Sequence, residues 1–187
     1  MNKIQKDLKK NGFVLIKGFL SKEKNFLKFK KYLNEFLMNT LNVKKKTTNL
    51  DKIITTHFNK GKNISAHIND NINLSADLQK ILTSDKILSL VCKFHKVQKA
   101  NLIFNNPRFR VQIPNNDKIS NLPWHQDSHY NKVKKTKSIV VWISVSKILK
   151  KMGPIIFKIK SHKINNLNKK IIKKLNGGIA HTIDINN

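Results

Sequence analysis

Cysteine, arginine, acidic side chains and long apolar runs are all scarce in this sequence, and each shortage removes a class of protein. One unpaired thiol, Cys92, cannot form an internal disulfide, which fits a reducing cytoplasm. It ends the mainly apolar run Ile87-Leu88-Ser89-Leu90-Val91-Cys92, where it reads as a small packing residue. Lys3, Lys6, Lys9 and Lys10 interrupt any apolar stretch at the start, so no secretory leader is visible. No run of about 18 apolar residues is available to span a membrane. What remains is 187 residues with 39% hydrophobic content, enough for one domain with its own core.

Acidic residues number 10 against 38 basic ones, leaving a net charge of +28. Such an excess ordinarily points to nucleic acid or another anionic surface. Here the lysines run from Lys3 to Lys174 and are mixed with abundant Ile and Asn, whereas a binding stripe clusters on one face. Nucleic-acid binding is therefore the weaker reading, and the charge favours an anionic small-molecule substrate. The only arginines, Arg108 and Arg110, lie in one short segment. Guanidinium groups bind carboxylates and phosphates bidentately, which ammonium groups do not. If residues 108–113 form a strand, Arg108, Arg110 and Gln112 share one face, and Phe109, Val111 and Ile113 share the other. The polar face either lines a pocket or is simply solvated.

The first half of the chain reads as helical. Residues 3–10 form a short helix before a strand at Phe13 to Lys17, and Ser21 is a candidate N-cap for the next helix. In that helix Phe26, Phe29, Leu33 and Phe36, with Leu37 alongside, make an apolar stripe expected to pack on a sheet. Residues 43–73 are polar with little periodicity and read as a long loop or lid, in which His57 and His67 take no ligand role. Ser75 to Leu82 and Lys86 to His95 are expected helices, with Ser84 or Asp85 capping between them. From Lys99 the pattern changes to short strands, at Leu102 to Phe104, Phe109 to Ile113, Ser138 to Ser146 and Ile155 to Lys160, separated by Pro, Gly, Asn and Asp. In the third of these, Ile139, Val141, Ile143 and Val145 face one way, and Val140, Trp142 and Ser144 the other.

The stretch Pro123-Trp124-His125-Gln126-Asp127 carries the chemistry. Residues two apart on a strand point to the same side, so His125 and Asp127 can grip one metal ion. They supply two of the three ligands of the 2-His-1-carboxylate triad that leaves open positions on Fe(II). With 7 His and 10 acidic residues in the chain, chance yields such a triplet often enough that its surroundings must carry the claim. Trp124 reads as a packing residue that orients His125, while His129 and Tyr130 either rim the site or form a solvated turn.

Those surroundings are Asn11-Gly12-Phe13-Val14-Leu15-Ile16-Lys17-Gly18-Phe19-Leu20-Ser21 near the start, Pro107-Arg108-Phe109-Arg110-Val111-Gln112-Ile113-Pro114 upstream of the triplet, and Trp142-Ile143-Ser144-Val145, Met152-Gly153-Pro154 and Ser161-His162-Lys163 downstream. In that order and spacing, from about residue 5 to residue 165, they resemble the phytanoyl-CoA dioxygenase family of Fe(II)/2-oxoglutarate oxygenases. The resemblance implies a mainly-β fold with outer helices, a double-stranded β-helix or cupin-like jelly roll. It is expected to occupy residues 1–187 as a single domain, with a helical part over about 1–97 and a jelly-roll part over about 98–187. It also implies Fe(II)/2-oxoglutarate-dependent hydroxylation of a small organic substrate, with O2 consumed and 2-oxoglutarate decarboxylated to succinate and CO2. His125 and Asp127 are the implied metal ligands, and Gln126, Trp142, Gln112 and Arg110 the implied cofactor-binding residues. Trp142 either walls the 2-oxoglutarate pocket or fills the barrel core.

The family's Pro-Gly-Ser-His loop stands here as Ile159-Lys160-Ser161-His162. By the resemblance His162 is a loop hydrogen-bonding residue and not an iron ligand. The family's second iron His and its 2-oxoglutarate Arg lie on strands beyond this loop, where this sequence has only a short polar tail, so the jelly roll is expected to be incomplete at the C-terminus. His181, in Gly177-Gly178-Ile179-Ala180-His181-Thr182-Ile183-Asp184, has alternating apolar neighbours compatible with a strand, but no Arg follows it. It reads as a surface residue near a frayed end. Two alternatives stand beside the oxygenase: a catalytically inactive or truncated relative, and a basic nucleic-acid-binding module. Neither the substrate nor the oligomeric state is legible.

Overall fold

The computed structural model describes residues 3–43, 49–57, 64–102, 108–111, 123–127, 138–164, 169–173 and 179–183. The chain divides into two compact units, one made of Met1–Leu15, Pro114–Val141 and Lys150–Asn187, the other of Ile16–Ile113 and Trp142–Leu149.

The second unit holds a helical core. Its helices are α2 (Lys24–Thr40), α3 (Leu50–His57), α4 (Ile64–Asn73), α5 (Ala76–Leu82) and α6 (Asp85–His95). On α2 the residues Phe26, Phe29, Leu33 and Leu37 recur every three or four positions, so they fall on one side and are buried. They pack against α3, α4 and α5 rather than on a sheet. Phe29, Leu33, Leu37, Ile53, Ile68 and Ile72 are the most completely buried side chains. Each removes enough apolar surface from water to contribute roughly 1.5–3 kcal/mol. Ser75 caps α5, its hydroxyl accepting from the Leu78 N–H at 3.2 Å. Ser84 precedes α6 without capping it through its side chain, and Lys96 closes α6 in the left-handed conformation at φ 56°. Ser21 is not a cap. Its hydroxyl donates to the Gly18 carbonyl at 2.8 Å inside a turn, and Glu23 stands at the start of α2.

Two expectations are corrected here. The described residues within 43–73 are not an open loop. They contain α3 and α4, and Leu50, Ile53, Ile68 and Ile72 are part of the core. Among the described residues the mainly-β jelly roll is also not found. Among the described residues six α-helices carry the architecture, and the one sheet is a two-stranded antiparallel hairpin, β1 (Lys169–Lys173) with β2 (Ile179–Ile183). The described parts of the four segments read as strands, around 102, 109–111, 138–146 and 155–160, contain no strand.

The reason is visible at 109–111, where a helix takes the place of a strand partner. The Phe109 and Val111 N–H groups donate to the side-chain carbonyls of Asn73 and Asn69 at 2.5 and 3.0 Å. Those two asparagines lie four apart on α4 and therefore share one side of it. With its donors satisfied by side chains, the segment has no ladder to join. The alternation expected there survives. Phe109 and Val111 pack on the core, with the Phe109 and Phe29 rings edge to face at 6.1 Å, while Arg108 and Arg110 are exposed.

In the first unit none of the described side chains is fully buried. Helix α1 (Lys3–Asn11) ends where the Gly12 N–H reaches the Leu8 carbonyl at 2.8 Å. Phe13 stacks on Phe157 with ring centroids 4.8 Å apart. In the hairpin, His181 stands opposite Ile171 in the register, so this histidine is on a strand. No helix among the described residues is long and apolar enough to cross a membrane.

Candidate metal site

His125 and Asp127 come together without a strand to hold them. Trp124 sits in a bend and residues 125–126 are irregular. The geometry comes instead from a local bond. His125 Nδ1 lies 2.7 Å from the Pro123 carbonyl. A carbonyl only accepts, so Nδ1 carries the proton and donates it. That fixes the ring orientation and turns Nε2 toward Asp127 Oδ1 at 3.5 Å.

The pair fits a divalent metal ion on two counts. Metal bonds to nitrogen and oxygen of about 2.1 Å, meeting at about 90–110°, separate the donor atoms by about 3.0–3.4 Å, close to the spacing found. The Nδ1–H to carbonyl bond is also the support that metal-binding histidines generally have on their far nitrogen. The Asp127 carboxyl titrates below the ordinary carboxylate value. The hydrogen-bonding His125 side chain is the main cause, burial opposes the shift, and the imidazole charge adds to it. At 3.5 Å the contact is too long for a strong hydrogen bond, so His125 acts here as a nearby donor and charge. A metal ion would displace the proton between Nε2 and Oδ1.

Gln126, between His125 and Asp127, is tied elsewhere. Its Nε2 donates to the Ile164 carbonyl at 3.2 Å. Among the described residues no third His, Cys, Asp or Glu joins the pair. His162 lies against α1, with Nε2 3.1 Å from the Lys9 carbonyl. Arg110 and Trp142 belong to the helical unit. Arg110 is exposed beside its packed neighbours Phe109 and Val111, and Trp142 is 53% exposed beside Ile143, which packs on the core. Gln112, His129 and Tyr130 lie outside the described residues.

Sequence reasoning missed the two backbone carbonyls, Pro123 and Ile164, that hold this segment. The proline just before Trp124-His125 was the available signal for the first, and nothing in the sequence marked the second. A family model described as Phytanoyl-CoA dioxygenase (PhyH) matches residues 8–178. No curated protein and no solved structure matches the chain.

Proposed function

Because the chain belongs to the phytanoyl-CoA dioxygenase family, within the Fe(II)/2-oxoglutarate-dependent oxygenases, we propose that it hydroxylates a small organic substrate at an iron centre held by His125 and Asp127. The observation that carries this reading is the spacing and support of that pair: Nε2 3.5 Å from Oδ1, with Nδ1 committed to the Pro123 carbonyl. His125 presents the Nε2 lone pair and Asp127 a carboxylate, so the chain supplies one neutral and one anionic ligand. Bound Fe(II) with 2-oxoglutarate supplies the oxidising chemistry, in which O2 is reduced as the 2-oxoglutarate is decarboxylated.

The remaining chain residues bind and orient. By the family resemblance alone, Arg110, Gln112 and Trp142 are carried as candidate co-substrate residues. Both Arg110 and Trp142 are exposed on the helical unit. The net charge of +28 favours an anionic substrate. Fe(II)-dependent succinate release from 2-oxoglutarate tests the proposal. Turnover by the parent that disappears in Asp127→Ala is the expected result, and unchanged turnover in that variant refutes it.

A further inference from the structure

Two motifs remain unused by this account, Asn11-Gly12 and Ser161-His162, and they meet in the first unit. Gly12 adopts φ +86°, and a Cβ there would stand 2.8 Å from His162 Cγ and 3.1 Å from its Cβ, closer still to Nδ1. The imidazole thus occupies the space in which a side chain at position 12 would begin. Its Nε2–H donates to the Lys9 carbonyl at 3.1 Å, and the Lys160 N–H donates to the Asn11 carbonyl at 3.0 Å. Both bonds satisfy carbonyls at the end of α1 that the helix itself leaves without partners.

The clamped segment leads directly to the metal pair. Residues Ser161–Lys163 form a tight turn, with the Lys163 N–H on the Lys160 carbonyl at 3.0 Å and the Ile164 N–H on the Ser161 carbonyl at 3.1 Å. The next carbonyl, that of Ile164, is the one that accepts from Gln126 Nε2. Gln126 sits between His125 and Asp127, so its side chain fixes the backbone from which both ligands project.

We propose that His162 and Gln126 are positioning residues of the metal site: His162, seated on Gly12 and the end of α1, fixes the 161–164 turn, and Gln126 reads that position through the Ile164 carbonyl and holds the two ligands at chelating distance. The inference rests on the reading that His125 and Asp127 bind a divalent metal. It assigns Gln126 a role toward the protein backbone rather than toward the co-substrate.

Co(II) is the probe, titrated into the full chain and followed by its visible absorption, with circular dichroism recording the fold of every variant. Removing a group bonded directly to a metal ligand costs about 10–100-fold in metal affinity, and because Gln126 and His162 act through the backbone that carries the ligands, Gln126→Ala and His162→Ala should each raise the Co(II) Kd by about tenfold, the low end of that range. His162→Gln, which keeps an N–H donor for the Lys9 carbonyl, should recover most of the loss. If His162→Ala does not fold, Gln126→Ala, which leaves the Gly12 contact intact, carries the test. Loss of Co(II) binding in His125→Ala together with parental affinity in Gln126→Ala and His162→Ala overturns the positioning role and leaves the metal site standing. Co(II) binding that survives His125→Ala overturns the metal reading, and this inference with it.

Discussion

Substituting Gly12 by Ala tests the packing of the Ser161-His162 turn on α1. Two terms set the size of the effect. At φ +86° an L side chain carries about 1–2 kcal/mol of backbone strain, partly offset by the reduced freedom of the unfolded chain, about 0.4–1 kcal/mol. A net cost of about 1 kcal/mol remains. The new methyl also collides with the His162 ring, which is exposed and free to swing outward. Relief of the clash then costs the bond to the Lys9 carbonyl, about 1 kcal/mol. Gly12→Ala should destabilise by about 2 kcal/mol, and His162→Ala by about 1 kcal/mol. The double variant should lose about 2 rather than 3 kcal/mol, because without the ring only the Cβ of position 162, 3.1 Å away, stays near the new methyl, a coupling of about 1 kcal/mol. Urea unfolding of the four proteins measures it, followed by Trp124 fluorescence in a Trp142→Phe background so that the signal reports the first unit. Effects that add within about 0.3–0.5 kcal/mol refute the contact.

Further perturbations test other parts of the structure. Ile68→Ala removes a fully buried side chain from α4 and should cost about 2–5 kcal/mol in urea unfolding, whereas a position in an open loop would cost almost nothing. Asn73→Leu deprives the Phe109 N–H of its acceptor and should cost about 1–3 kcal/mol, with faster hydrogen exchange at that amide as the local signature. Lys160 holds φ 65°, so Lys160→Gly should raise the melting temperature, by up to about 1 kcal/mol of added stability. Asp127 binds its proton less tightly folded than unfolded, so its contribution is complete above the unfolded value of 3.8 and is lost as pH falls through the lower folded value. The stability difference between the parent and Asp127→Asn should therefore shrink below about pH 3.8 in acid titrations of the metal-free protein.

Local patterns were the legible part of this sequence. The stripe on α2 is visible because Phe26, Phe29, Leu33 and Phe36, with Leu37 alongside, follow the helical period, although Leu37 and not Phe36 is the fully buried one; what covers it is not a sheet, since periodicity says which side is buried and not what packs there. Helices α3 and α4 were hidden by their Lys, Asn and Thr content. The spacing of Ile64, Ile68 and Ile72, four residues apart each time, was the signal that marked α4. The alternation at 108–111 was read correctly and its strand was not, because Asn69 and Asn73, some 40 positions away, take the backbone donors. Likewise His125 and Asp127 were legible as a pair, while Gly12 and His162 lie 150 residues apart and no local rule connects them.

In the proposed function His125 and Asp127 hold iron for 2-oxoglutarate. Anaerobic addition of Fe(II) and 2-oxoglutarate, read by the visible charge-transfer absorption of the chelate, tests it most directly. A band is expected in the parent protein and is lost in both His125→Ala and Asp127→Ala. A parent that gives no band with both in excess, or a band that persists in those variants, contradicts it.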